Sequence, residues 1–455
     1  MNNIRIFELQ NPWRQNRPFF DNINYIKRTI FSQIKKWMNS EDIIVLLGAR
    51  QTGKSTLMFR TISELINQNI NPQNIFYFNL DNILHLSFIK DITSLLDFLD
   101  EFGENEKKKY IFIDEVQRLE NCGLFLKQLY DLRLPLKIIV SGSSTLEIRA
   151  KIKESLTGRK KVFEVLTLSL TEINNNENKI DINFDVFDLK KLSLKQRFYS
   201  TQLNSLCQQL LIYGGYPKIY LQDNNENKIF ELQEIYSSYL QKDIINFLNI
   251  KYPDAFNKLI LLLAHQIGNI VNVVELANSL QLNRKIVQEY LFIIVSTYIG
   301  QLLKPFYTNK RQEVIKANKI YYLDCGLRNF ITDNFNELDS RSDKGALVEN
   351  FVFQEMKKQI GFNTNIKFWR TQNGAEVDFI LTKAEKFMPL EVKSSIINQP
   401  QPGQAFLNFI KKYQPQYGFL LSENYIAKKK LHNCDVYFFP YSWFLLFFKD
   451  VLKLI

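Results

Sequence analysis

Consecutive apolar residues alternate with amphipathic stretches along residues 1–171. The apolar runs have the length and composition of buried strands and lie at 43–47, 74–80, 110–113 and 137–140. Apolar residues recur at helical spacing across 26–37 and 57–65, and a further helix is expected at 146–153. The pattern therefore predicts strands and helices in this part of the chain, with the helix at 26–37 packed beside the others.

The middle of the chain is predicted to be largely helical. Residues 172–195 are asparagine-rich and weakly periodic, so we expect an insertion or linker there. Residues 196–250 show a helical pattern, interrupted at 213–217 by Tyr-Gly-Gly-Tyr-Pro, which predicts a sharp turn. This segment is expected to form a helical lid.

A helix-turn-helix pattern lies within 251–330. Its helices are predicted at 257–267, 274–280 and 284–294, and Asn283 would cap the last of them. On that helix Arg284, Lys285 and Gln288 could face a DNA groove. Apolar stretches at 299–306 and 319–323 predict a hairpin wing. Winged-helix modules also serve as joints between proteins, so both uses stay open.

The last block, 331–455, begins with a helix predicted at 344–358, which carries Glu349 near its apolar face. Strands are predicted at 366–371, 376–381 and 388–393. Because side chains alternate along a strand, Glu391 and Lys393 share a face, and the neighbouring strand presents Asp378 beside them. With Glu349 this group predicts a site for a second divalent ion, Mg²⁺ or Mn²⁺. A solvated sheet face bearing a salt bridge is the alternative.

Composition narrows the classes of protein. A chain of 455 residues is too long for one ordinary domain, and 45% hydrophobic content argues against wholesale disorder. The net charge of +11 favours an anionic partner, nucleic acid before membrane. The four cysteines are far apart and form no CxxC pair, and no apolar run approaches the length of a membrane span. We therefore expect a cytoplasmic protein with free thiols.

The loop after the first strand is the strongest candidate for chemistry. It has the P-loop pattern, and the predicted nucleotide-binding residues are Gly48, Ala49, Arg50, Gln51, Thr52, Gly53, Lys54, Ser55 and Thr56. Backbone N–H groups of such a loop cradle the phosphates of ATP, Lys54 would contact the β- and γ-phosphates, and Ser55 would ligate Mg²⁺. A chance glycine pair is the alternative, but the strand before and the helix after are the context that the motif requires.

Acidic and polar residues follow two later strands. The strand at 110–113 ends in Asp114 and Glu115, the Walker B form, in which Asp114 would hold Mg²⁺ and Glu115 would activate the attacking water. The strand at 137–140 runs into small polar residues, where Ser143 or Ser144 could sense the γ-phosphate; an ordinary helix N-cap is the alternative. Arg159 could serve as an arginine finger, although a solvated arginine is the commoner explanation.

Several motifs occur in a fixed order along the chain. They are GARQTGKST at 48–56, DEVQRL at 114–119, SGSS at 141–144, ESLTGR at 154–159, GGYP at 214–217, GAEVDF at 374–379 and EVKSS at 391–395. Together they resemble the prokaryotic AAA-type ATPases fused to a C-terminal domain of unknown function with a restriction-endonuclease-like core. The resemblance implies an α/β fold class: an AAA-type P-loop ATPase domain with a helical lid, then a winged helix, then a PD-(D/E)xK-like α/β domain.

The resemblance also implies roles for particular residues. Lys54, Ser55, Asp114 and Glu115 match the nucleotide-site positions of that family. The nuclease signature is matched by Asp378, Glu391 and Lys393. The chain departs from the family where Ala49 replaces a common proline and where the residue before Asp378 is not proline, so the literal "PD" is absent.

Two functions from different classes follow from these patterns. The first is a cytoplasmic ATPase whose nucleotide state is coupled to a C-terminal half that binds DNA and could cleave it. The second is a nucleotide-switched interaction protein whose nuclease-like fold serves binding only. The expected domains are the ATPase at 1–171, an insertion or linker at 172–195, the lid at 196–250, the winged helix at 251–330 and the nuclease-like domain at 331–455. The sequence leaves the oligomeric state open.

Overall fold

The structure is a computed structural model that describes residues 2–20, 24–104, 106–143, 156–238, 250–307, 313, 316–396, 398–399 and 401–455. The chain divides into two compact units. Unit 1 comprises Met1–Leu166 with Ser296–Tyr298, and unit 2 comprises Thr167–Val295 with Ile299–Ile455. The first boundary falls close to the predicted end of the ATPase domain, while the segment expected as its lid belongs to unit 2.

Unit 1 is built on a parallel sheet whose strands follow the predicted apolar runs. They are β1 (Ile43–Gly48), β2 (Ile75–Asn79), β3 (Lys109–Asp114), β4 (Leu136–Ser143) and β5 (Lys160–Glu164). The strand order is β2-β3-β4-β1-β5, and each strand pairs in parallel with its neighbours. The apolar sequence of β1 and of residues 110–113 in β3 suits strands that are buried along their whole length, as a sheet covered on both faces requires.

Helices cover this sheet. They are α1 (Asn2–Gln10), α2 (Ile30–Lys36), α3 (Lys54–Asn67), α4 (Ile83–Phe88), α5 (Ile92–Phe102) and α6 (Cys122–Asp131). Ile34 of α2 and Leu57 of α3 lie in the core beside Ile44 of β1. The helix predicted at 26–37 is shorter than expected, and the one predicted at 146–153 lies outside the described residues.

Unit 2 contains more helices, a two-stranded sheet and a six-stranded sheet. Its helices are α7 (Leu170–Glu177), α8 (Leu189–Tyr213), α9 (Pro217–Tyr220), α10 (Asn225–Tyr236), α11 (Pro253–His265), α12 (Val273–Leu280), α13 (Arg284–Ser296), α14 (Cys325–Ile331), α15 (Lys344–Gln359), α16 (Gln404–Tyr413), α17 (Tyr441–Leu446) and α18 (Phe448–Val451). The sharp turn predicted at 213–217 is confirmed, since α8 ends at Tyr213 and α9 begins at Pro217. Among the described helices of the chain, none is long and apolar enough to cross a membrane.

The stretch 172–195, expected as an insertion or linker, contains regular structure. Helix α7 occupies its first part, beginning in a capping box in which Ser169 and Glu172 bond each other's backbone N–H. The side chain of Asn174 both donates to and accepts from the backbone of Ile180, which is buried. The polar composition therefore concealed a folded segment, because its polar side chains satisfy backbone groups instead of facing water.

The helix-turn-helix pattern and the hairpin are confirmed as secondary structure. Helices α12 and α13 are separated by the turn at 281–283, and Oδ1 of Asn283 accepts the N–H of Ile286 at 2.9 Å, as a cap should. Strands β6 (Gly300–Leu303) and β7 (Lys319–Tyr322) then pair antiparallel.

The six-stranded sheet of unit 2 comprises β8 (Thr364–Arg370), β9 (Glu376–Lys383), β10 (Lys386–Val392), β11 (Tyr417–Ser422), β12 (Ala427–Leu431) and β13 (Cys434–Pro440). Their order is β12-β13-β11-β10-β9-β8. Strands β8, β9 and β10 form an antiparallel meander, and β10, β11 and β13 run parallel. Helix α15 precedes the meander, and α16 connects β10 to β11.

Candidate nucleotide site and acidic cluster

The P-loop connects β1 to α3, and steric constraints explain both of its glycines. Gly48 ends β1, where a Cβ atom would meet the carbonyl oxygen of Val165 at 2.2 Å. Gly53 has a φ of +95°, a conformation that favours glycine, and α3 begins at the next residue. The loop can therefore curl tightly and present its N–H groups toward a phosphate.

Lys54 is folded into this loop. Its Nζ donates to the carbonyl oxygens of Gly48 at 3.0 Å and Ala49 at 2.8 Å, and the residue is buried. Thr52 Oγ1 also donates to Ala49, at 2.9 Å. The ammonium therefore already lies among the backbone atoms that would surround a phosphate. Of the other predicted loop residues, Gln51 is exposed, whereas Arg50 and Thr56 are half-buried.

Asp114 of β3 meets Ser55 of α3 next to the loop. The Ser55 hydroxyl lies 2.5 Å from Oδ2 of Asp114, and the Tyr77 hydroxyl donates to the same oxygen at 2.8 Å. Ser141 donates to the other carboxylate oxygen. A hydroxyl beside a carboxylate is the oxygen donor set that Mg²⁺ prefers, so Ser55 and Asp114 fit the ion that accompanies ATP.

The Tyr77 phenol is fixed as a hydrogen-bond donor. Burial of the ring, together with the charge of Asp114, raises the pKa of Tyr77 well above its usual value. The phenol therefore remains protonated at any ordinary pH and donates to Asp114.

Glu115 and Ser143 also come together. The register pairs Gly48 of β1 with Ser143 of β4, so Ser143 lies at the P-loop end of the sheet. The Ser143 N–H approaches Oε2 of Glu115 at 3.4 Å. Gln117 Nε2 donates to that same oxygen and to the Ser143 hydroxyl, the latter at 2.8 Å. The predicted base and the predicted sensor therefore share one hydrogen-bond group; Ser144 lies outside the described residues.

Arg159 does not join this group. Its carbonyl accepts the N–H of Ile43 at the start of β1, the end of the strand opposite the P-loop. Its guanidinium pairs with Asp131 at 3.3 Å and lies over the Tyr130 ring. The structure thus separates Arg159 from the P-loop of its own unit, and its assignment as an arginine finger stays a prediction without support from this geometry.

Sequence reasoning missed four residues around the nucleotide site, namely Arg28, Tyr77, Gln117 and Ser141. Arg28 Nη1 donates to the P-loop carbonyl of Thr52 at 2.8 Å and is distant from it in sequence. Tyr77 and Ser141 carried a usable signal, since both lie on strands that flank the strand of Asp114. Gln117 lies just after the Walker B acids, but the sequence does not show that its side chain turns toward Glu115 and Ser143.

A second group of charged residues lies in unit 2. The register that pairs Leu390 with Phe379 sets Glu391 opposite Asp378 on neighbouring strands. Oδ2 of Asp378 accepts the N–H of Val392 at 2.7 Å, and Lys393 Nζ pairs with Oε1 of Glu391 at 2.6 Å. The sequence prediction that Asp378, Glu391 and Lys393 lie close together is consistent with these contacts.

Glu349 is engaged by residues that the sequence analysis did not include. Oε1 of Glu349 accepts from the Tyr321 hydroxyl at 2.5 Å and lies 3.5 Å from Lys319 Nζ. Lys319, whose side chain is 1% exposed, also pairs with Glu376 of β9. Lys319 and Tyr321 are two residues apart on β7, so the two-residue period of a strand could have indicated that their side chains share a face.

The charges of this cluster are coupled. Burial raises the pKa of Asp378 well above its usual value, and repulsion from Glu349 adds to that effect. Burial alone would lower the pKa of Lys319, but attraction to Glu349 and Glu376 outweighs it and raises the pKa. Lys319 therefore stays charged and supplies the counter-charge to the carboxylates.

The expectation of a second divalent-ion site is not met by this arrangement. Within the described part of the chain, no three or more His, Cys, Asp or Glu residues are grouped so as to hold a metal ion. The physical reason is that Glu349 bonds Tyr321 and Lys319, and Lys393 occupies one oxygen of Glu391. The other oxygen of Glu391 is buried and has no hydrogen-bond partner among the described residues.

Comparison with known proteins supports the prediction of an AAA-type domain in the first part of the chain. Residues 40–174 match the family model of an AAA domain, while 204–338 and 344–441 match two domains of unknown function, DUF8612 and DUF4143. An uncharacterized protein of Haemophilus influenzae is 23% identical over 424 residues, covering 92% of this chain and 98% of its own length. One of Methanocaldococcus jannaschii is 26% identical over 381 residues, covering 79% and 77%.

Among solved structures, the Aeropyrum pernix ORC1 protein in complex with DNA covers 69% of this chain and 95% of its own, at 10% identity and a TM-score of 0.30. The family match and the site geometry together support one class for residues 40–174, an AAA-type P-loop domain of α/β fold. The resemblance is thereby confirmed for this domain, whereas the nuclease-like domain stays a prediction.

Proposed function

We propose that this protein binds ATP with Mg²⁺ and hydrolyses it, and that its nucleotide state controls a DNA-binding half. The observation that carries the hydrolysis is the hydrogen bond between Ser55 and Asp114 beside the P-loop, with Glu115 the next residue. Such an arrangement serves phosphoryl transfer to water, in which the protein chiefly positions the reactants and neutralises charge.

In this proposal each residue of the nucleotide site has its own role in binding or hydrolysis. Lys54 exchanges its loop carbonyls for the β- and γ-phosphate oxygens. Ser55 and Asp114 would hold Mg²⁺, which would neutralise charge on the phosphates. Glu115 accepts a proton from the attacking water, and Ser143 lies where it can contact the γ-phosphate.

The proposal for DNA rests on α12, α13 and the β6–β7 hairpin, which follow one another as in a winged helix. Arg284, Lys285 and Gln288 are exposed at the N-terminal end of α13, the end that enters a groove in helix-turn-helix proteins. The excess of positive charge in the whole chain supports an anionic partner.

For the C-terminal part we propose a restriction-endonuclease-like fold that serves binding only. The succession of α15, the β8–β9–β10 meander, α16 and the parallel strand β11 supports the fold. The observation that favours binding over cleavage is the engagement of Glu349 by Tyr321 and Lys319, which leaves only Asp378 and Glu391 of the three predicted carboxylates.

Two assays with the full chain test these proposals. Phosphate release from ATP should require Mg²⁺ and should change when duplex DNA is added; absence of hydrolysis with and without DNA would contradict the ATPase. Supercoiled plasmid should stay uncut with Mg²⁺ or Mn²⁺, with or without ATP. If the wild-type protein cuts the plasmid and Asp378→Ala does not, the binding-only role is overturned. If both cut it equally, the activity comes from a contaminating nuclease.

A further inference from the structure

We infer that Gln117 is a positioning residue for ATP hydrolysis: it orients the Glu115 carboxylate toward the attacking water and links it to Ser143. The inference rests on the proposed function, since it concerns the same site. Gln117 lies on the short 3-10 turn Val116–Arg118 directly after the Walker B acids. Its side chain is half-buried and turned toward the end of β4.

One nitrogen atom makes both contacts. Gln117 Nε2 donates to Oε2 of Glu115 and, at 2.8 Å, to the hydroxyl of Ser143. An ionised carboxylate only accepts hydrogen bonds, so the amide must present its nitrogen, not its oxygen, to Glu115. The orientation of the amide is therefore fixed by the charge of Glu115.

The two oxygens of the Glu115 carboxylate are made unequal by this contact. Both hydrogen bonds that the described residues donate to this side chain, from Gln117 and from the Ser143 N–H at 3.4 Å, reach Oε2. Oε1 is then the oxygen that can take the proton of a water molecule. A base that must act in one geometry benefits from such a restraint, because misplacement by about 1 Å can cost about 10²-fold in rate.

Glu115 needs an external restraint because of its backbone. It is a non-glycine residue with a φ of 56° and a ψ of 49°, in the left-handed region, at the junction of β3 and the 3-10 turn. Neither the strand nor a regular helix then directs its side chain. The Gln117 amide supplies the missing direction.

The amide oxygen of Gln117 offers a further contact. This Oε1 is buried and has no hydrogen-bond partner among the described residues. A buried amide oxygen is costly to leave unsatisfied, and a water molecule held beside Glu115 would satisfy it. A group that accepts from the water while Glu115 takes its proton would orient both water hydrogens.

The test compares Gln117→Ala with the matched control Gln128→Ala, an exposed glutamine on α6. Gln117→Ala should lower kcat about tenfold or more, the usual consequence of losing a hydrogen bond to a charged group, with KM for ATP nearly unchanged. The variant should bind ADP normally and ADP–aluminium fluoride more weakly by a factor similar to that in kcat, because this complex resembles the transition state. Gln128→Ala should change none of these.

Two further variants separate positioning from a general structural role. Gln117→Glu keeps a side chain of similar length but has no N–H to donate to the Glu115 carboxylate, so it should lose kcat as Gln117→Ala does, with KM for ATP nearly unchanged. In a Glu115→Gln background, Gln117→Ala should have little additional effect, since residues that act as a unit are not additive.

The inference is overturned if wild-type protein hydrolyses ATP and Gln117→Ala does so equally fast. It is also overturned if ADP and ADP–aluminium fluoride affinities fall together, or if the two substitutions are additive. Should Gln117→Ala melt far below wild type, Gln117→Asn, whose shorter amide cannot span both partners, must show the same loss of kcat. Wild-type protein without any hydrolysis would instead contradict the proposed function.

Discussion

The hydroxyl of Ser55 lies 2.5 Å from Oδ2 of Asp114, although the two residues are 59 positions apart in the chain. Ser55 lies in the first turn of α3 and Asp114 ends β3, and the parallel sheet brings both to the same end, where Gly48 also lies. This pair is the centre of the candidate nucleotide site.

Removing one member of this pair should affect nucleotide binding only in the presence of Mg²⁺. Ser55→Ala is expected to lower the affinity for ATP about tenfold or more with Mg²⁺ and to leave it unchanged in EDTA, because the serine would contact the ion. Titration of a fluorescent ATP analogue measures both. Ser87→Ala, on the surface of α4, is the control. Equal losses with and without Mg²⁺ would contradict the assignment.

Lys54→Ala and Glu115→Gln should have different consequences. The first removes the charge that faces the phosphates and should weaken ATP binding. The second removes only the base and should leave binding intact while slowing hydrolysis by about 10²–10⁴-fold. Steady-state phosphate release and equilibrium binding distinguish the two, with Lys36→Ala, on the exposed side of α2, as control. Unchanged turnover in Glu115→Gln would contradict the assignment of Glu115 as the base of the Walker B motif.

The winged-helix proposal predicts a salt dependence for binding to duplex DNA. If Arg284 and Lys285 contact phosphates, each contributes about −0.9 to the slope of log affinity against log salt. Replacing both by glutamine should flatten the slope by up to about two units. Fluorescence anisotropy over a salt series measures it, and the exposed pair Lys411 and Lys412 on α16 gives a matched control. A slope unaffected by the change would favour a protein-binding role.

Asp378 should destabilise the fold at neutral pH. Its folded-state pKa lies well above the usual 3.8, so the folded protein holds a proton that the unfolded chain releases, and stability falls as pH rises above about 4. Asp378→Asn removes this titration and should melt at higher temperature than wild type at pH 7–8. The gain should vanish toward pH 4. Asp254→Asn, at an exposed position of α11, should show no such trend.

His85 should make the protein sensitive to acid. Burial lowers the pKa of this imidazole from 6.5 to about 4, and its Nδ1 accepts the N–H of Asn79 at 2.9 Å. Below pH 6.5 the imidazole therefore binds a proton in the unfolded chain but stays neutral in the folded protein. This difference lowers the free energy of unfolding by up to about 3 kcal/mol by pH 4. Urea unfolding of His85→Asn should lack this loss, whereas the exposed His265→Asn should retain it.

The motifs allowed much of unit 1 to be predicted, because their chemistry is local. A P-loop needs its glycines, lysine and serine within a few residues, and continuous apolar runs indicate buried strands regardless of their neighbours. The same holds for the Asn283 cap and for the α12–α13 pair. The local structure of the asparagine-rich stretch could not be predicted in this way, because the hydrogen-bond partner of Asn174 follows from the fold and not from composition.

What the sequence determined, then, is which residues carry phosphate-binding and acidic chemistry, since residue type and short-range spacing decide that. Tertiary structure alone decided which of them meet. Strand order placed Ser143 beside the P-loop and Arg159 at the far end of β1. Packing of β7 against α15 gave Glu349 the partners Tyr321 and Lys319, so it did not complete an ion site. Hydrogen bonds and charge interactions depend on distances in space, and residues far apart in the chain acquire those distances only when the strands and helices pack.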